Sequence, residues 1–92
     1  MVKRSIIPGG NNQKHCFLGC ASLQLERHHC LHGSRRKKAE EWGLTVYLCP
    51  KCHRLLHDTG LNDLFLEQVA QQAFEAKYDH ELWMKEFGKD YL

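Results

Sequence analysis

The alternation of hydrophobic and polar positions predicts two short strands in the first half of the chain. Residues 23–25 alternate in polarity and lead into residues 26–29, which favours a strand that ends in a histidine pair. Residues 44–48 are β-branched, aromatic and largely apolar, and they predict the second strand. The charged residues 33–41 predict a polar connection between the strands, with room for a helical turn.

A short helix is predicted directly after the second strand. Pro50 suits the first turn of a helix, because its φ is preset and its missing N–H is not needed there. We therefore expect a helix over residues 51–57, ended by the turn-forming residues 58–60. Strand, connection, strand and helix follow one another here, with the histidines at the open end.

From residue 61 onwards the apolar positions recur at helical spacing. Residues 61–77 predict a long helix, and Asp79 is expected to cap a second helix over residues 80–87 that ends at Gly88. The apolar positions of these helices are Phe65, Leu66, Val69, Ala70, Phe74, Ala73, Ala76, Leu82, Trp83 and Phe87. The pattern as a whole predicts an α+β domain with two C-terminal helices.

The length of 92 residues indicates one small domain with marginal stability from its core alone, so a bound metal or disulfide set is expected. Residues 1–14 are predicted to be a flexible arm, because residues 8–12 have the composition of a turn. Residues 15–92 are predicted to be the domain itself, with its core at 15–60 and its C-terminal helices at 61–88.

Charge is distributed unevenly along the chain. Residues 1–38 contain eight Lys or Arg and one Asp or Glu, whereas residues 39–92 contain five and ten. The basic half carries the histidine pair, which favours a phosphate-facing surface beside a more acidic scaffold. Two solvated faces without a partner are the alternative interpretation.

Four of the five cysteines form two closely spaced pairs. Cys16 and Cys20 are a C-x3-C pair, and Cys49 and Cys52 are a C-x2-C pair. Two such pairs at two-to-four-residue spacing are typical of a tetrahedral zinc site with four thiolates. We therefore expect a structural Zn²⁺ ion.

Other roles for the cysteines remain open at this point. Buried or redox-active thiols are the alternative, His15 can replace one sulfur of the looser C-x3-C pair, and Cys30 is expected in the core. The odd cysteine number and the absence of a secretory or membrane-spanning apolar run favour a reducing cytoplasm.

The histidines predict a second metal site of a different kind. His53 and His57 are four residues apart on the predicted helix, so both imidazoles can face one ion. His28 can supply a third nitrogen and leave a coordination position open, as in catalytic sites. His29 is then free to accept a proton from water, because a histidine of pKa ~6.5 is largely neutral near pH 7. Surface histidines without such roles are the alternative.

A run of four cations follows the histidine pair. Arg35, Arg36, Lys37 and Lys38 lie between the predicted strands and favour binding to a nucleic-acid phosphate backbone without sequence preference. A solvated loop, paired with the glutamates that follow, is the alternative.

These motifs resemble the HNH endonucleases, a family with the ββα-metal (His-Me finger) fold. The resemblance rests on residues 25–29 and 43–53 and on the C-x3-C knuckle, and it is strongest to small phage and prophage members. Those members share a segment like residues 36–41, Arg-Lys-Lys-Ala-Glu-Glu, and a closing segment like residues 87–92. The resemblance covers about residues 16–92.

The resemblance implies a role for each histidine of the motif. His29 is implied as the general base, and His28, His53 and His57 as ligands of a catalytic Zn²⁺, Mn²⁺, Ni²⁺, Co²⁺ or Mg²⁺ ion. The asparagine after which the family is named corresponds to Leu44 here. Its task of orienting the base is therefore expected to fall to a backbone carbonyl or another side chain.

We thus expect a metal-dependent endonuclease that nicks or cuts DNA, with DNA and no membrane as its partner, acting alone or within a larger phage complex. A non-catalytic zinc-stabilised nucleic-acid-binding module is the first alternative. A protein-interaction domain built on the C-terminal helices is the second. Two metal ions per chain would favour the nuclease, and one would favour the binding module.

Overall fold

The structure, a computed structural model, describes residues 4–11 and 13–92. Within these ranges it has the predicted α+β composition, a two-stranded sheet combined with four helices. None of these helices is long and apolar enough to cross a membrane. The elements in chain order are β1 (Glu26–His29), α1 (Arg35–Trp42), β2 (Thr45–Leu48), α2 (Pro50–Thr59), α3 (Asp63–Lys77) and α4 (His80–Phe87).

The two strands form an antiparallel ribbon that carries the histidine pair. His28 pairs with Val46 and His29 pairs with Thr45. Successive side chains of a strand point to opposite faces, so the two neighbouring histidines lie on different sides of the ribbon. His28 is 2% exposed, whereas His29 is only partly buried. The ribbon therefore gives two adjacent residues of the same type different surroundings.

Residues 35–42 form a complete helix, where the sequence predicted a connection with at most a helical turn. Its contacts with the end of α4 explain the difference. The Arg35 guanidinium donates to the Phe87 carbonyl at 2.9 Å, and the Lys38 ammonium donates to the Glu86 carbonyl at 2.6 Å. Because these partners lie far along the chain, the local pattern of α1 did not reveal them.

The other predicted helices are confirmed, with ends within two residues of the expected positions. Pro50 is the first residue of α2. The Asp79 carboxylate caps α4 by accepting from the Leu82 backbone N–H at 2.7 Å. Helix α3 begins at Asp63, two residues later than expected, because Asn62 has a left-handed φ of 67°.

The core of the C-terminal part forms between α3 and α4. Leu66, Ala70 and Phe74 of α3 are fully buried, whereas Phe65 is 49% exposed. The ring of Phe74 packs edge-on against that of Trp83, with 5.4 Å between ring centroids. Trp83 is fully buried, as expected for a core residue. The row of α3 that faces the core consists of Leu66, Ala70 and Phe74.

Part of the segment at residues 1–14 contacts the domain. Ile7 is 2% exposed and belongs to the core, and the Ser5 hydroxyl donates to a backbone carbonyl of β2 at 2.6 Å. Residues 1–3 and 12 of the predicted arm lie outside the described residues.

Candidate metal centres

The four predicted zinc-binding cysteines lie together on a tight turn and at the start of α2. The Cys16 backbone N–H donates to the Cys20 carbonyl at 3.1 Å, which folds the C-x3-C segment back on itself. Cys49 is the N-cap of α2, and Cys52 lies in the first turn of that helix. Cys49 and Cys52 are three residues apart at the start of the helix, so they lie on one side of it, next to the turn that carries Cys16 and Cys20.

The sulfur atoms of these cysteines have the spacing of a metal site. All four Sγ atoms lie within 4.8 Å of one another, and those of Cys20 and Cys52 are 3.3 Å apart. A tetrahedral zinc ion with Zn–S bonds of ~2.3 Å requires sulfurs roughly 3.8 Å apart. All four side chains are free thiols in the described part of the chain. The cluster can therefore hold a metal ion such as zinc.

The thiol pKa distinguishes Cys49, a member of the cysteine cluster, from Cys30, a core residue outside it. The Cys52 backbone N–H donates to the Cys49 sulfur and lowers the pKa of that thiol to about 7, which favours the thiolate that a metal requires. Burial raises the pKa of the Cys30 thiol to about 12, so Cys30 stays neutral. Cys30 is fully buried, as expected for a core residue.

Three histidines form a second cluster between β1 and α2. One ring nitrogen from each of His28, His53 and His57 lies within 4.8 Å of the other two. The Nε2 atoms of His53 and His57 are 3.0 Å apart, because residues four apart lie on one helical face. The spacing of the two helix histidines predicted this convergence, and the register of β1 adds the third ring.

The buried ring of His28 fits the role of a metal ligand. Its Nε2 atom is buried and has no hydrogen-bond partner among the described residues, which is costly unless another group compensates. Burial, followed by the neighbouring His53, His32 and His57, lowers the pKa of His28 to about 3. The ring is therefore neutral near pH 7, which is the form that binds a metal.

A carboxylate behind the cluster was not predicted from the sequence. The Glu26 carboxylate lies 2.8 Å from Nδ1 of His53, on the ring atom that faces away from the cluster. Carboxylates in this position fix the tautomer and orientation of metal-binding histidines. Glu26 lies two residues before His28 on β1, and only the pairing of β1 with the rest of the fold brings it to α2.

His29 lies beside the three-histidine cluster but outside it. Its Nε2 atom is 3.1 Å from the Glu40 carboxylate of α1, and its Nδ1 atom is 3.5 Å from Nε of Arg36. Glu40 is also bonded by the guanidinium of Arg27. Neither Glu40 nor Arg27 was singled out as a site residue from the sequence.

An open pocket of about 310 Å³ joins the two sides of the ribbon. The three-histidine cluster, His29 and two arginines line it. Its lining residues are Arg27, His28, His29, His32, Gly33, Arg36, His53 and His57. A polyanion entering this pocket would meet histidine nitrogens and a guanidinium together.

His32 is a further histidine of this pocket. Its Nε2 atom lies 2.6 Å from the Asp63 carboxylate, and its ring centroid is 5.9 Å from that of His57 and 5.5 Å from that of His28. Sequence spacing indicates no partner for His32, because Asp63 lies 31 residues later, at the start of α3.

The four predicted nucleic-acid-binding cations point in different directions. Arg36 lines the pocket and Lys37 is exposed. Arg35 and Lys38, three residues apart on α1, instead donate to backbone carbonyls at the end of α4. Arg36 therefore faces the pocket and Lys37 faces solvent. The other two cations contribute to the packing of α1 against α4.

No family model, curated protein or solved structure matches the chain in the comparisons with known proteins.

Proposed function

We propose that this chain is a metal-dependent endonuclease of the HNH type, with a ββα-metal core formed by β1, β2 and α2, that hydrolyses phosphodiester bonds in DNA. One observation carries the proposal. Three histidine nitrogens converge beside a further histidine that is held apart from them, and one of the three is buried with no hydrogen-bond partner in the described part of the chain. Three imidazoles leave a coordination position open, as catalytic sites do.

The ligand set favours particular ions. His28, His53 and His57 would hold the catalytic ion, and neutral imidazoles suit Zn²⁺, Mn²⁺, Co²⁺ or Ni²⁺ better than Mg²⁺, which prefers oxygen ligands. When bound, such an ion would offset the charge of a phosphate oxygen and of the departing 3′ oxygen. The cysteine cluster would hold a separate structural zinc.

His29 is the general base in this proposal. Arg36 Nε is the donor in its contact with His29, so Nδ1 carries the lone pair and Nε2 carries the proton. In that tautomer Nδ1 can accept a proton from a water molecule in the pocket. Arg36, which lines the same pocket, would bind a phosphate oxygen of the substrate and move away from Nδ1 as it does so.

A non-catalytic zinc-stabilised nucleic-acid-binding module is the second candidate. The observation that favours it is Leu44, which is fully buried at the position where the HNH resemblance expects asparagine. Such a module needs the cysteine cluster and the cations but not the histidine cluster. It would bind one metal ion per chain rather than two.

Cleavage of supercoiled plasmid across a panel of divalent metals tests the proposal. The parent should cut, whereas His29→Ala should lose about 10²–10⁴-fold in rate while its metal content and DNA affinity stay parental. His57→Ala should lose the catalytic metal and keep the structural zinc. His80→Ala, which changes an exposed histidine of α4, is the control and should match the parent.

Two results would overturn the proposal. If His29→Ala cuts at the parental rate, His29 is not the base. If the parent cuts with none of the metals and binds one ion per chain, the binding module replaces the nuclease.

A further inference from the structure

The residue at the expected asparagine position does not orient His29. The Leu44 side chain is apolar and fully buried, and the Leu44 carbonyl accepts from the Cys30 N–H at 3.0 Å. A general base still needs a fixed ring orientation, because a histidine that rotates presents its lone pair to the water only part of the time. Another group of this chain must therefore hold the ring.

Glu40 has the geometry for that task. One carboxylate oxygen, Oε1, lies 3.1 Å from Nε2 of His29, on the ring atom opposite the one that faces Arg36. An ionised carboxylate only accepts, so this contact favours the proton on Nε2. The Nη1 donor of Arg27 also faces Nε2 but lies farther from it, at 3.5 Å, so the contact with Glu40 is the shorter of the two. The lone pair is then on Nδ1, toward the pocket side.

The carboxylate of Glu40 is itself fixed. The Arg27 guanidinium forms a two-pronged ion pair with it, and the second bond, from Nη2 to Oε2, is 2.7 Å long. The hydrogen bond from Arg27 lowers the pKa of Glu40 to about 2, so the group is an acceptor throughout the neutral range. Arg27 and His29 are two apart on β1 and lie on the same face of the strand, so both meet one residue of α1.

We propose that Glu40 is the positioning residue of His29, which holds the proton on Nε2 and leaves Nδ1 as the basic nitrogen, in place of the missing asparagine. This inference rests on the proposed function for its effect on cleavage. The orientation and tautomer of His29 are properties of the folded protein and do not depend on cleavage. Glu40 does not touch the substrate, so its removal acts through His29 alone.

The test combines kinetics with nitrogen NMR of histidine-labelled, zinc-loaded protein. Glu40→Ala should lower kcat by about 10–100-fold, the usual effect of losing an outer-shell partner, with little change in KM or metal content. The two ring nitrogens of His29, assigned with His29→Ala, should lose the single Nε2–H pattern of the parent. Glu40→Gln keeps an oxygen that can accept from Nε2, so its kcat and tautomer should lie between those of the parent and Glu40→Ala.

Glu41→Gln is the matched control, since it removes the same charge from the neighbouring, exposed position of α1 and should leave both readouts parental. Unchanged nitrogen signals of His29 in both Glu40 variants would overturn the inference, even if kcat falls, because the loss would then come from the fold. Parental kcat in Glu40→Ala would also overturn it. A parent that never cleaves, combined with a changed tautomer in the variants, would refute the nuclease and leave the positioning of His29 by Glu40 intact.

Discussion

At the scale of single residues, two adjacent histidines acquire different chemistry from the strand that carries them. His28 is buried in a cluster of imidazoles, whereas His29 faces the carboxylate of Glu40. The alternation of a strand separates them, although their sequence neighbourhood is almost the same. Burial keeps the ring of His28 neutral and suited to a metal. The Glu40 carboxylate fixes which nitrogen of His29 carries the proton.

The first residue-scale prediction concerns the carboxylate behind His53. Glu26→Gln should weaken metal binding at the three-histidine cluster by about 10–100-fold, because the His53 ring loses the acceptor that fixes its tautomer. The structural zinc should remain. Competition of a fluorescent zinc indicator with each variant measures the two affinities separately.

The control is Asp58→Asn. It also removes one carboxylate, but from an exposed position of α2, the helix that carries His53. If Glu26→Gln and Asp58→Asn bind the second metal equally well, the Glu26 contact does not contribute to metal binding.

At the scale of elements, helix α1 places the cations of residues 35–38 in two different environments, the end of α4 and the histidine pocket. Residues three apart on a helix share a face, so Arg35 and Lys38 both reach the carbonyl end of α4. Cations are favourable there, because the last carbonyls of a helix carry partial negative charge. Arg36 falls on the opposite side and lines the histidine pocket. The run therefore contributes two cations to the packing of α1 against α4 and one cation to the lining of the histidine pocket.

This division gives different predictions for neighbouring arginines. Arg36→Ala should weaken DNA binding similarly for all sequences and reduce the salt slope by about 1, without loss of thermal stability. Arg35→Ala should instead cost about 0.5–1.5 kcal/mol of stability, because its bond to the Phe87 carbonyl is lost. Salt-titrated binding and thermal melting of both variants distinguish the roles. Equal effects of the two substitutions on DNA binding would contradict the division.

The turn between α1 and β2 gives a second prediction at this scale. Gly43 has a left-handed φ of 73°, and a Cβ built there would lie 2.4 Å from the Arg4 carbonyl. Gly43→Ala should therefore cost more than the roughly 1–2 kcal/mol expected for a left-handed alanine alone. The N-terminal segment would have to move, and with it the hydrogen bond from Ile6 to Gly43.

Gly60→Ala is the matched control, because Gly60 is also a left-handed helix cap but has no atom of the described residues within 4 Å of the added Cβ. Chemical denaturation of both variants measures the difference. Equal losses of stability in Gly43→Ala and Gly60→Ala would show that residues 4–6 do not lie close enough to Gly43 to clash with an added Cβ.

At the scale of the whole molecule, the cysteine cluster joins two parts of the chain that are about 30 residues apart in sequence. Cys16 and Cys20 lie in a segment without helix or strand, and their partners lie at the start of α2. A small domain gains a large share of its folding free energy from such a site, because the unfolded chain cannot hold the ion in the same way.

Loss of a metal ion from the cysteine cluster should therefore destabilise the fold of the whole molecule. Cys49→Ser should lose one bound zinc per chain and melt at a clearly lower temperature than the parent. Cys30→Ala, which removes the fully buried thiol outside the cluster, should lose some stability through packing but no zinc. Metal analysis and thermal melting of the two variants check this. Parental zinc content in Cys49→Ser would mean that the four thiolates are not the ligands.

The sequence by itself determined the features that depend on local spacing. The C-x2-C and H-x-x-x-H pairs of residues 49–57 converge because one helix carries them, and Asp79 caps α4 because its side chain reaches a backbone N–H three residues on. The two strands and the three later helices follow from their apolar periods in the same way. Within a few residues, helix and strand geometry leaves little freedom.

Only the tertiary structure decided which side chains surround those donors. Glu26, Glu40 and Asp63 meet His53, His29 and His32 across 27, 11 and 31 residues of chain. The same holds for α1, because Arg35 and Lys38 donate to carbonyls at the end of α4. The periodicity of the sequence does not predict these long-range contacts, because they depend on how separate elements pack against one another. The sequence therefore specified the donors of the candidate centres, and packing specified the carboxylates that orient them.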